Sequence, residues 1–149
     1  MSFIARSSFT INLYCANLWR RCVLAVDVMP QLEASCYQKT LFVQSCACLA
    51  AKSHSRIGDK LPVENFQAEA HIVVITSGTG HAIVDKATTE RRIKRNIALS
   101  TASYLGVARV VAYTELLVIV PERLGNTFAS WENFKLMVPP FKLPSFAVK

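Results

Sequence analysis

Thr76-Ser77-Gly78-Thr79-Gly80-His81 is the densest cluster of chemistry-bearing groups in the sequence. The apolar run HIVVIT leads into it over 71–76 and a helical pattern from Ala82 leads out, so two glycines fall in a strand-to-helix turn. Such a turn presents free backbone N–H groups, and the positive end of a helix dipole, to an anion above the C-terminal edge of a sheet. The hydroxyls of Thr76, Ser77 and Thr79 add donors. The spacing is neither that of a dinucleotide fingerprint nor that of a P-loop, and no lysine follows to neutralise a phosphate. The residues alone leave two readings open, a loop that binds a small anionic ligand and an ordinary capped βα turn.

Other chemistries find less to stand on. His81 lies near three hydroxyls, and His54 and His71 are also available, but no nucleophile elbow accompanies them. Each histidine is expected to be a surface or capping residue. The acids are scattered singly, with no pair spaced for a metal or an acid/base couple. Cys46-x-Cys48 lacks zinc-knuckle or redox spacing and reads as buried, inert thiol. The sequence therefore points away from an enzyme, and it calls for no cofactor and no metal.

These residues must be held by alternating strands and helices. Strands are expected over 22–29, 41–50, 71–76, 95–100 and 116–120, with two further strands at 134–138 and 145–148. Pro62 opens a helix with Val63, Phe66, Gln67 and Ala70 at helical spacing. A second helix over 82–92 carries Ile83, Ala87 and Glu90, and a third over 103–113 carries Leu105, Ala108, Val111 and Ala112. A short fourth follows Pro121 to about Ser130. Strands alternating with helices of about ten residues give an α/β fold with a mostly parallel sheet and flanking helices.

Composition narrows the class further. In 149 residues, 52% are hydrophobic and 18% charged, which is domain-sized and too apolar for wholesale disorder. The excess of 17 Lys+Arg over 10 Asp+Glu gives a net charge of +7, which favours anionic partners without choosing one. The surplus is local. Arg6, Arg20 and Arg21 precede the first acid, Asp27, and Arg91-Arg92-Ile93-Lys94-Arg95 supplies the rest. That second cluster falls at an expected helix C-terminus without interleaved aromatics, so a solvated helix end is preferred to a nucleic-acid surface. No uncharged run reaches the roughly 18 residues of a membrane span, and five cysteines without framework spacing suit a reducing, cytoplasmic setting. Residues 1–20 have the Ser-rich, acid-free composition of a transit peptide, or form an irregular end.

The segments LAVDVMPQLEA, KTLFVQSCACLAAKSHSRIGDKLPVENF, HIVVITSGTGHAIVDKA, RRIKRNIALSTASYLGVARVVAYTELLVIVPERLG and LMVPPFKLPSFAVK follow one another in an order that resembles the effector-binding domain of LysR-type transcriptional regulators. The resemblance covers roughly Leu24 to Lys149. It implies two α/β subdomains like those of type 2 periplasmic binding proteins, joined by two crossing strands with an inducer in the cleft. It divides the chain into an irregular segment (1–21), a remnant of the first subdomain and crossover (22–37), the second subdomain (38–145) and the start of a return strand (146–149). It places the inducer, a small carboxylate, on Thr76, Ser77, Gly78, Thr79, Gly80 and His81. Operator DNA would be met only through a helix-turn-helix, which this sequence does not show, so the chain reads as a truncated relative. A homo-oligomer is compatible with this. A stand-alone solute-binding domain, a small hydrolase using His81 and a basic nucleic-acid binder are the alternatives.

Overall fold

A computed structural model of the chain describes residues 39–75, 80–131 and 133–148, with the backbone alone for Gly80 and His81. The segment 1–21 and the strand expected over 22–29 lie outside the described residues. The elements are β1 (Phe42–Gln44), β2 (Cys46–Ala51), α1 (Val63–Ala68), β3 (Ala70–Val74), α2 (Gly80–Glu90), β4 (Asn96–Thr101), α3 (Tyr104–Ala112), β5 (Leu117–Pro121), α4 (Glu122–Ala129), β6 (Phe134–Met137) and β7 (Phe146–Val148).

Five strands form one sheet in the order β4-β3-β5-β2-β6. β3 is parallel to β4 and β5, whereas β2 is antiparallel to both β5 and β6. Four of these strands therefore run one way and β2 alone runs back, which is the α/β, mostly parallel arrangement expected. β1 and β7 pair antiparallel as a separate two-stranded ribbon.

The single strand expected over 41–50 is two. The chain leaves the ribbon and enters the sheet at Ser45, whose carbonyl accepts the Glu122 N–H at 2.9 Å, so its pairing is diverted to the start of α4. Beyond that point β2 is apolar on both faces because both are covered. Leu49 packs with Val118, Val107, Val111 and Phe128 under α3 and α4. Cys48 and Ala50 pack with Phe66, Leu117, Ala87 and Phe141 under α1 and α2.

Three helix faces differ from the periodicity argument. α1 stops at Ala68, and Ala70 opens β3, because Glu69 is extended (ψ 158°) and bonds sideways to Arg56. In α2 the buried positions are Val84, Ala87 and Thr88, with Glu90 exposed. The true stripe is shifted one residue from Ile83, and Thr88 is admitted because its hydroxyl donates to the Val84 carbonyl at 3.0 Å. In α3, Val107 joins Ala108 and Val111 inside while Leu105 is 71% exposed.

α2 ends in a Schellman motif, with Ile93 N–H on the Thr88 carbonyl (2.9 Å) and Arg92 N–H on the Thr89 carbonyl (3.0 Å). The residue that must turn left-handed is Arg92, at φ 55°, a position that favours glycine. Arg92→Gly is expected to stabilise the protein by about 1 kcal/mol, read as a raised urea midpoint at unchanged slope.

Candidate functional site

β3, β4 and β5 each end at the same edge of the sheet, and each is followed by a helix that starts there: α2 at Gly80, α3 at Tyr104 and α4 at Glu122. That edge gathers the positive ends of helix dipoles, with Glu122 N–H at the start of α4 already paired to the Ser45 carbonyl. Thr76, Ser77, Gly78 and Thr79 lie outside the described residues, as do the side chains of Gly80 and His81. Their flanks are placed, since β3 ends at Val74 and the backbone of Gly80 and His81 opens α2.

A second hydroxyl-bearing turn stands beside these flanks. Ile75 N–H donates to the Thr101 carbonyl at 2.8 Å, carrying the β3–β4 pairing one residue past the end of β3. Ser103 caps α3, its hydroxyl accepting from Gly106 N–H at 3.3 Å, and its own N–H reaches the Thr101 hydroxyl at 3.3 Å. Periodicity alone starts a helix at Ser103 and marks no site there. The signal was present, because Ser100-Thr101-Ala102-Ser103 repeats the strand, hydroxyl, helix order of the first turn.

Beneath the edge is a space of about 30 Å³ lined by Cys46, Val74, Asp85, Arg95, Tyr104 and Phe146, room for about one water. Burial pushes the Cys46 thiol up to about 11 and Cys48 to about 12, so both are neutral thiols at physiological pH. Burial likewise raises Tyr104, whose phenol stays protonated. Arg95 corrects the picture of a fully solvated basic cluster. Its side chain is only 12% exposed and is folded back onto the Asp85 carboxylate. Arg91 is exposed as expected and donates to the Ala87 carbonyl at 3.1 Å, satisfying the helix end.

The titratable residues that look most like a reaction centre sit at the opposite edge. Arg56 grips the buried Glu69 carboxylate through two bonds of 2.6 Å and reaches Glu115 at 2.8 Å. The Arg56 bonds hold the Glu69 carboxyl below its ordinary range, against the opposing effect of burial. His54 is buried, with Nε2 on the Glu115 carbonyl (3.1 Å) and Nδ1 accepting from Arg56 N–H (3.3 Å). His71 is buried as well, Nε2 donating to the Phe66 carbonyl at 2.6 Å. Neither lies at the surface, and of the surface or capping role expected only bonding to backbone groups is seen. His54 has both ring nitrogens engaged by backbone and His71 has Nε2 so engaged, which makes them pins between loops and strands. Among the described residues no group of three or more His, Cys, Asp or Glu could hold a metal ion. Nor, among these residues, is any helix long and apolar enough to cross a membrane.

No family model matches the chain. Among curated proteins it is similar to the HTH-type transcriptional activator NahR of Pseudomonas putida, with 32% identity over 125 residues, covering 84% of this chain and 42% of NahR. Its relatives among curated proteins and solved structures are LysR-family regulators. It spans well under half the length of the relatives it matches. Two solved LysR-type domains share its fold. The effector-binding domain of QuiR in complex with shikimate superposes with a TM-score of 0.72 at 15% identity, covering 94% of this chain and 66% of that one. The CcmR regulatory domain of Synechocystis in complex with 2-PG gives 0.72 at 13% identity, covering 95% and 69%. The described lobe thus has the periplasmic-binding-protein-like fold of these effector-binding and regulatory domains.

Proposed function

We propose that this chain is the effector-sensing part of a LysR-type transcriptional regulator, in which a small carboxylate docks at the C-terminal sheet edge and no bond is made or broken. The observation that carries the reading is the convergence of three helix starts on one edge, two of them preceded by hydroxyl-rich turns. Donors from Thr76, Ser77, Gly78, Thr79, Gly80 and His81 would hold the carboxylate, with the Thr101–Ser103 turn beside them. Shikimate and 2-PG, the ligands of the two structural relatives, both carry a carboxylate. In the domain scheme this reading uses, 38–145 is the second effector subdomain, 22–37 and 146–149 belong to the connection with the first, and 1–21 stands apart. DNA contact and transcription control belong to the whole cytoplasmic regulator. β4, a sheet edge among the described strands with Ile97 and Leu99 exposed, suits an oligomer.

The test is an NMR titration of the chain with shikimate, 2-phosphoglycolate and a panel of other small carboxylates. Expected are fast-exchange shifts confined to 75–81 and 101–104, with Kd of about 1 mM because this lobe supplies one wall of the cleft. Ser103→Ala should weaken them severalfold. Absence of shifts at those positions across the panel sinks the proposal. Turnover of an ester panel lost on His81→Ala would replace it with a hydrolase, and submicromolar affinity would favour a self-sufficient solute-binding domain.

A further inference from the structure

We propose that Glu122 and Arg123, the first two residues of α4, form a latch that fixes the β1–β7 ribbon against the five-stranded lobe. Ser45 is the sole residue between β1 and β2, so the angle between ribbon and sheet is set at one position. Glu122 holds that position from two sides: its N–H donates to the Ser45 carbonyl at 2.9 Å, and its carboxylate accepts the Ser45 hydroxyl. One residue on, the Arg123 guanidinium stacks over the Phe42 ring, 4.2 Å from its centroid, and takes hold of the ribbon itself.

The two bodies joined by the latch differ in rigidity. α4 is seated by the fully buried Phe128 and by Gly125, which lies directly against Leu136 and Val120. The ribbon has three residues in each strand, a size that is marginal on its own in water. Its inner residues Phe146 and Val148 are buried, but its exit toward β6 runs through 138–145, where Pro139, Pro140 and Pro144 leave few N–H groups to pair. A cavity of about 500 Å³, bounded by Ser45, Glu122, Met137, Pro140 and Leu143, separates the latch from that exit. The junction is open to solvent on that side, and the contacts of Glu122 and Arg123 hold the ribbon there together with the buried Phe146. In the effector-domain reading the ribbon leads to the first lobe, so the latch would set the cleft angle; that extension rests on the proposed function, and the latch does not.

The test is hydrogen–deuterium exchange by mass spectrometry on the full chain and its Glu122→Ala, Ser45→Ala and Arg123→Ala variants. Amides of Phe42–Ser45 and Phe146–Val148 should exchange about three- to tenfold faster in each, while those of α3, β5 and β6 and the melting temperature stay put. Glu122→Gln, whose amide oxygen can still accept from Ser45, should restore most of the protection. Adding Ser45→Ala to Glu122→Ala should speed the ribbon little further. Unchanged ribbon exchange in all variants overturns the latch, and so does acceleration of ribbon and sheet together, which would mean general loosening. Ribbon loosening in a chain that shows no carboxylate shifts at 75–81 would uphold the latch and discard the effector reading.

Discussion

Phe66→Ala is expected to destabilise the protein by about 3–5 kcal/mol, a large part of the stability of a domain this size. Phe66 is fully buried on the short helix α1 and fills the layer between that helix and the sheet. Its ring centroid lies 4.4 Å from the His71 ring and 5.3 Å, edge on, from Phe141. α1 has six residues and no side-chain cap, so packing of this one ring, more than helix propensity, holds it in place. Truncation also removes the cover from His71. Burial now keeps the His71 imidazole below its ordinary pKa of 6.5. The folded state thus refuses a proton that the unfolded chain accepts, so this contribution is full above pH 6.5 and is lost as pH falls from there toward the folded value. With water admitted beside the ring, the decline as pH falls below 6.5 should become shallower in Phe66→Ala than in the parent. Urea titrations at several pH values read both effects. A loss below about 1 kcal/mol would mean that Phe66 does not organise this face.

The α/β class and nearly all element positions among the described residues were legible because both signals are local. Apolar β-branched runs such as Leu117–Val120 and prolines at 62 and 121 mark strands and helix starts without knowledge of their neighbours. Helix faces were not, because short windows admit more than one stripe: in α2 the choice between Ile83 and Val84 depends on which side the sheet lies. The break at Ser45 was invisible for a related reason, since its cause is Glu122, seventy-seven positions away. The glycines and hydroxyls of 76–81 mark that segment in the sequence, and of it the structure describes only the backbone of Gly80 and His81. The neighbouring turn at Ser103 escaped notice because only the parallel register of β3 and β4 brings the two together. The burial of His54 and His71 was not legible, because residue type cannot distinguish a surface or capping imidazole from one buried and bonded to backbone.

Gly125→Val is expected to cost about 3 kcal/mol, although glycine is itself a poor helix former. In an exposed helix interior, replacing glycine by alanine gains about 1 kcal/mol. Here the helix approaches the sheet so closely that a Cβ at Gly125 would stand 2.6 Å from Leu136 Cδ1 and 3.2 Å from Val120 Cγ2. Leu136 can rotate away in part, whereas Val120 is β-branched, fully buried and fixed in β5. Alanine should therefore fall between the two effects, with a net loss of about 1 kcal/mol, and the two further methyls of valine have nowhere to go. The sign of the alanine variant separates close packing from propensity. The decisive measurement is the double variant Gly125→Val with Leu136→Ala: removing the leucine branch opens the space the valine needs, so the pair should be less destabilised than the sum of the single changes by about 1–2 kcal/mol. Strict additivity would mean that α4 accommodates valine by tilting as a body. That tilt would carry Glu122 and Arg123 with it, and the ribbon amides would then exchange faster than in the parent.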